Sequence, residues 1–228
     1  MTLPSFPQHA AALAAGRFVR VVNYHNTPAS LEAELEADLR GYLGAYDPVT
    51  PGDLDAFLDT GRWPTARPGF VAAFYDGYRN HATVAAPVCD RLGVTAWFLP
   101  PTGFLATPAA QQQAFADAHD MWVLEEELAQ DRLAMTFDEL AAIAERHVVI
   151  AHTATHAAAE TTVAAADLDR EVAGPRKDLE RVTGQAPPGL VWRLGGPYDP
   201  EHPSGKAARE AGYRFVLSNT AIQRIAPP

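Results

Sequence analysis

GFVAAFYDG, residues 69–77, is the most informative run in the chain. Its first seven residues carry no charge and do not alternate, the pattern of a strand covered on both faces. Asp76-Gly77 then stops the run, which puts one carboxylate where a strand ends and a loop begins. The neighbour before it is Tyr75. A carboxylate so placed either shapes a turn or does chemistry, and the surrounding segments choose between the two.

Outward from this run, similar short apolar segments recur. RFVRVVNYH (17–25), VTAWFLP (94–100), HVVIAH (147–152), LVWRL (190–194) and YRFVLS (213–218) read as strands. Helices are expected between them. One is capped by Ser30 and runs through LEAELEADLRGYLG; a short one opens at Thr50-Pro51; another follows the Asp-Gly turn as far as Leu92. A capping box at Thr136-Phe-Asp-Glu139 starts a helix to about Arg146, and further helices are expected over roughly 166–183 and 203–211. Residues 106–134 read as an irregular, partly helical insertion of lid-like character.

Strands alternating with helices imply a single α/β domain over residues 1–228, with a parallel sheet or a β/α barrel. In such folds chemistry gathers at the carboxyl ends of the strands. That rule makes His25, Asp76, Pro100, His152, Arg193 and the Ser218-Asn219 pair expected neighbours.

The chain has 228 residues, 47% of them apolar, so a full core can be buried. A formal net charge of −10 argues against nucleic acid as a partner. Cys89 is the only cysteine, which excludes an internal disulfide; it reads as a buried small apolar residue. With no secretory or membrane-spanning segment evident, a cytoplasmic location without membrane association is expected, and self-association is left open.

HTATH, residues 152–156, carries the strongest chemical signal. Two histidines four apart on a turning segment can face one metal ion. Asp76 from another strand end completes a three-ligand set that leaves coordination positions for water and substrate. His25 reads either as a backbone-bonded histidine or as an acid/base or substrate contact; His81 reads as a helix-face residue, and His119, His147 and His202 as surface residues. Trp97 and Trp192 suit the core, whereas Trp122, in the irregular insertion, suits a pocket wall. Glu125-Glu126-Glu127 reads as a solvated helix face.

These residues resemble the polysaccharide deacetylases (carbohydrate esterase family 4). AFYDGYRNHATVAAPVCDRLGVTAWFLP is similar to that family's first motif region and HTATH to its second; NYHNTP, MTFDEL and AGYRFVLS also sit where members carry related segments. The resemblance implies a distorted, incomplete (β/α) barrel of about seven parallel strands. It also implies a divalent transition metal, most commonly Zn2+, on Asp76, His152 and His156, and hydrolysis of an acetyl group from nitrogen or oxygen. In the family an aspartate takes the proton of the attacking water and a late histidine protonates the leaving group.

Three positions depart from the pattern. Tyr75 replaces the aspartate that acts as base, Asn219 falls where the late histidine is expected, and the Arg-x-Pro-Tyr motif reads WRLGGPY, with Arg193 two residues early relative to Pro197-Tyr198. The expectation is therefore a metal-dependent hydrolase of an N-acyl bond on a carbohydrate or small-molecule substrate. Tyr75, His25 and Arg193 are its expected catalytic groups, and Trp122, Pro197 and Tyr198 contact the substrate. The alternative is a catalytically weak homologue that binds a metal and a small ligand.

Overall fold

Eight short strands alternate with helices in the computed structural model, which describes residue 11 and residues 19–64, 66–218 and 221–225. They are β1 (Arg20–Tyr24), β2 (Asp47–Pro48), β3 (Gly69–Tyr75), β4 (Ala96–Leu99), β5 (Val148–Val149), β6 (Gly189–Val191), β7 (Phe215–Leu217) and β8 (Ile222–Arg224). β1, β3, β4 and β5 lie side by side and parallel, with β2 parallel to the start of β3. β6 and β7 are parallel, and β8 returns antiparallel to β7. A parallel bridge from Ala151 to Leu190 joins the two sheets, whereas β8 and β1 are not paired among the described residues. The result is the incomplete α/β barrel expected, left open between its first and last strands. β2 and β8 are additions to the expected order; Asp47-Pro48 and Ile222-Gln-Arg224 lack the apolar runs by which the other strands are read.

Alternation along β3 sorts its side chains into two cores. Val71, Ala73 and Tyr75 point into the barrel with Trp97, Leu99, Ile150, Val191, Phe215 and Leu217. Phe70, Ala72 and Phe74 point outward to the helices, with Phe98, Leu140, Leu179 and Ala208. The helix Pro51–Thr60 plugs the interior with Leu54, Phe57 and Leu58, and it begins on the expected cap, Thr50 bonding reciprocally with Asp53. At the β6–β7 pair only glycine fits, because a Cβ at Gly189 would lie 2.2 Å from the Phe215 ring.

Two helices differ from expectation in detail. Ser30 does not cap the helix Glu32–Ala45; a turn of 3₁₀ helix, Ala29–Leu31, precedes it and the Ser30 hydroxyl donates to Glu126 instead. The segments His81–Ala85 and Asp169–Ala173 are π-helical turns, each running into an α-helix whose second residue is proline, Pro87 or Pro175. Proline has no N–H for the carbonyl four residues back, and a widened turn absorbs the lost bond. Among the described residues no helix is long and apolar enough to cross a membrane.

Candidate metal centre

Three loops at the carboxyl edge of the sheet build the site. At the end of β3 the backbone turns through two consecutive left-handed residues, Asp76 at φ 76° and Gly77 at φ 68°. Aspartate tolerates this conformation better than most residues, and at Gly77 a side chain would strike Leu105 and Pro100, both at 2.8 Å. The turn is held by Asp76 N–H to the Leu99 carbonyl (3.1 Å), by Met135 N–H to the Gly77 carbonyl (2.9 Å), and by Arg79 N–H to the Leu133 carbonyl (2.7 Å).

HTATH follows the sheet-joining residue Ala151 and is also strained, with Thr153 at φ 52° and His156 at φ 57°. Non-glycine residues in this region cluster at functional sites. The Thr153 hydroxyl donates to the His152 carbonyl (2.6 Å) and accepts from Ala157 N–H (2.9 Å), so it shapes the turn. The carboxylate of Glu171 caps the same turn, accepting from Ala154 N–H (3.0 Å), Thr155 N–H (2.8 Å) and the Thr155 hydroxyl (2.9 Å).

These turns bring Asp76, His152 and His156 together. One ligating atom from each lies within 4.8 Å of the others. Asp76 Oδ1 is 3.7 Å from His152 Nε2 and 3.6 Å from His156 Nε2, and this buried oxygen has no hydrogen-bond partner. His156 Nδ1 donates to the His119 carbonyl (2.7 Å), which turns Nε2 toward the carboxylate. Burial, reinforced by His156, lowers the His152 pKa to about 3, so this imidazole is neutral. For Asp76, burial opposes ionisation, but the hydrogen bond from His25 favours the charged form, and the pKa falls to about 2. A buried carboxylate oxygen with no hydrogen-bond donor, faced by two imidazole nitrogens at 3.6 and 3.7 Å, is an arrangement that a cation would satisfy. The residues therefore fit a divalent metal.

The second oxygen of Asp76 is engaged separately. His25, at the end of β1, donates from Nδ1 to Asp76 Oδ2 at 2.8 Å, and this bond raises the histidine pKa against the effect of burial. Its side chain remains 52% exposed. His25 is in turn held through its own carbonyl, which accepts from His81 Nε2. His81 is fully buried, not on a helix face as expected, because its π turn packs it among Phe74, Tyr78 and Phe98.

The other expected residues divide. Tyr75 points into the barrel between the rings of His25 (5.3 Å) and His152 (5.8 Å), its hydroxyl buried and without a partner. Burial pushes its pKa far above the usual tyrosine value, with Asp76 adding to the rise, so the phenol keeps its proton. Arg193 pairs with Asp120, the neighbour of the residue whose carbonyl orients His156. Trp122 is 71% exposed. Its carbonyl accepts from Asn26 (2.7 Å) and from Tyr78 (2.7 Å), which fixes its place beside the His25 and Asp76 loops. Tyr198 is half-buried against the helix-side core, its N–H bonded to Gln223, and Pro197 is exposed; among the described residues no contact ties either to the metal ligands. Asn219 lies outside the described residues.

The insertion 106–134 is tied to the rest of the fold by buried polar groups. Gln112 accepts from Leu133 and Ala134 N–H groups, and Glu127, expected in solvent, is buried and paired with Arg79 at 3.2 Å. His147, expected at the surface, is buried too, accepting from Ala96 N–H. Trp97, Trp192 and Cys89 occupy the core as expected. Sequence reading missed Glu171 altogether; the one local sign of it was Pro175 four residues on, inside a helical pattern.

No family model matches the sequence. No curated protein matches it either. Solved structures do. IcaB from Ammonifex degensii superposes with a TM-score of 0.68 at 17% identity, over 92% of this chain and 87% of that one. The deacetylase PplD of Streptococcus pyogenes, in complex with acetate, gives 0.65 at 14% identity over 87% and 82%. A de-N-acetylase from Aggregatibacter actinomycetemcomitans gives 0.64 at 17% over 88% and 87%. At these identities the likeness establishes the fold: the chain is built like these proteins over nearly its whole length.

Proposed function

We propose that this chain is a metal-dependent hydrolase of the polysaccharide deacetylase type, cleaving an N-acyl C–N bond on a carbohydrate or small amide. The observation that carries the reading is the division of labour on Asp76. Oδ1 meets the two imidazoles, whereas Oδ2 binds His25 at 2.8 Å. Asp76, His152 and His156 would hold the ion, and two imidazole nitrogens with one carboxylate oxygen suit Zn2+. When bound, such an ion polarises an acyl carbonyl and acidifies water.

The protein's own groups supply the rest. With Nδ1 committed to Asp76, His25 has Nε2 free to take up or release a proton at the open side of the site. That histidine takes the place of the missing family base. Tyr75 is left with packing, since a buried phenol with a raised pKa cannot accept a proton near neutrality. Arg193, fixed by Asp120, contributes positive charge beside the His156 loop, and Trp122 offers an exposed aromatic face to the substrate.

Metal analysis of the purified protein, with hydrolysis assays over N-acetylated sugars and small acetamides, tests the reading. Asp76→Ala and His152→Ala are expected to lose bound zinc. His25→Ala should keep zinc and lose ~100- to 10,000-fold in rate, the usual cost of one acid/base group. Stoichiometric zinc in both ligand variants would refute the site, and an unchanged rate in His25→Ala would refute the role of the histidine. Tyr75 at the position of the family's base favours one other reading, a homologue that binds metal and ligand without turnover; wild-type protein that holds zinc yet hydrolyses none of the panel would select it.

A further inference from the structure

Glu171 is a buried carboxylate beside the site that the reaction leaves unused. It is 1% exposed, yet it stands on a helix that approaches the sheet from outside. Its Oε2 accepts from two successive N–H groups, Ala154 at 3.0 Å and Thr155 at 2.8 Å. Its Oε1 accepts from the Thr155 hydroxyl at 2.9 Å and from Arg170 Nε at 2.8 Å. Ala154 and Thr155 are the two residues between strained Thr153 and strained His156. The carboxylate therefore grips the middle of the turn whose two ends carry the imidazoles.

The helix is shaped to allow this. Pro175 cannot donate to the carbonyl four residues back, which is that of Glu171 itself, and the π turn Asp169–Ala173 forms there, closed by Gly174 N–H to the Asp169 carbonyl. On the far side the turn is tied by Gly103 N–H to the Ala154 carbonyl (2.8 Å) and by His156 Nδ1 to the His119 carbonyl (2.7 Å). Left-handed backbone is strained in residues that carry a Cβ, so without these bonds the turn would relax and its imidazoles would diverge.

We infer that Glu171 is the positioning residue of the metal site. It holds the 152–156 turn in its strained form and thereby sets metal affinity without touching the ion. The inference rests on the metal site proposed above. It is tested with zinc alone, by competition against a chromophoric chelator on folded protein, with circular dichroism as the check on folding.

Glu171→Ala is expected to weaken zinc binding 10- to 100-fold, the range for losing a group that orients metal ligands. Glu171→Gln keeps one acceptor oxygen and should weaken it by ~3- to 10-fold. The control is Asp53→Ala, which breaks the capping box of Pro51–Thr60; it should lower melting temperature and leave zinc affinity unchanged. A purely structural Glu171 would behave like this control, and a folded Glu171→Ala protein with wild-type zinc affinity overturns the inference. If the alanine variant does not fold, the glutamine variant decides, and no weakening refutes. Wild-type protein without zinc affinity would instead sink the metal site itself, which separates the two failures.

Discussion

Replacing Tyr75 by phenylalanine removes one oxygen and leaves the ring that packs between His25 and His152. In most proteins this change costs about 1 kcal/mol, because a buried tyrosine hydroxyl is normally bonded. Here the hydroxyl is buried and partnerless, in an interior lined by Val71, Ala73, Trp97 and Leu99. Burying an unbonded hydroxyl costs ~1–3 kcal/mol, so its removal is expected to stabilise the fold by about 1–2 kcal/mol. For a chain of this size each kcal/mol moves the melting temperature by about 2–4 °C, giving a rise of ~2–8 °C.

The sign of the change also tests the chemistry. Chemical denaturation and thermal melts of metal-free protein read the stability, and kcat on the best N-acetyl substrate reads the role. Stabilisation with kcat within about 3-fold of wild type is expected for a packing residue. A loss of 100-fold or more in kcat would mean that the hydroxyl meets the substrate. Destabilisation by 1 kcal/mol or more would mean that the hydroxyl has a partner in the barrel, such as a water shared with the equally unbonded Trp97 Nε1. Either result refutes the assignment of Tyr75 to packing.

Gly77→Ala should destabilise by ~2–4 kcal/mol in urea, since it combines a left-handed backbone with contacts at 2.8 Å to Leu105 and Pro100; an effect below 1 kcal/mol would contradict that geometry. Trp122→Ala should alter stability by less than about 0.5 kcal/mol, because the side chain is 71% exposed and only its carbonyl is bonded, while kcat/KM falls; unchanged kcat/KM removes Trp122 from the substrate surface. Burial lowers the His81 pKa to about 4. A depressed histidine pKa means that the unfolded chain binds more protons, so the contribution is present above pH 6.5 and is lost as pH falls toward 4. Between pH 7 and pH 5 the loss from this residue is about 2 kcal/mol, and His81→Gln should flatten the pH dependence by that amount. Parallel curves for the two proteins would disprove it.

What the sequence revealed was local. β3 and β4 are uncharged runs, Asp-Gly is a turn, and HTATH carries two candidate ligands within five residues, so each reads from its own neighbours. What it concealed depends on partners far along the chain. Glu171 acts on residues 16 and 17 positions away, Arg193 pairs with an aspartate 73 positions away, and Glu127 reaches Arg79 across 48. His81 was misread for the same reason. A histidine after a turn looks like a helix surface until the π turn swings it under Phe74 and Phe98. The two prolines that accompany the π turns were visible, but a proline in a helical pattern signals a distortion without saying what the distortion positions.

Strand parity explains why the site differs from its family resemblance in the way it does. Tyr75 is the last residue of β3 and shares its face with Val71 and Ala73, inside the barrel. A carboxylate there would lie among Trp97, Leu99 and Leu217, at a cost in desolvation that only a nearby cation offsets. The uncharged tyrosine ring fills the same space at the smaller cost of one unbonded hydroxyl, and on the proposed reading proton handling passes to His25, which enters from the end of β1 and keeps a half-exposed side chain. On the proposed reading Asp76 serves both functions, and the two can be separated. His25→Ala removes only the Oδ2 partner and should leave zinc bound. Asp76→Asn removes the charge that both imidazoles and His25 face, so it should lose zinc and activity together. Zinc affinity that survives in Asp76→Asn while activity alone is lost would show that the two oxygens do not divide the work in this way.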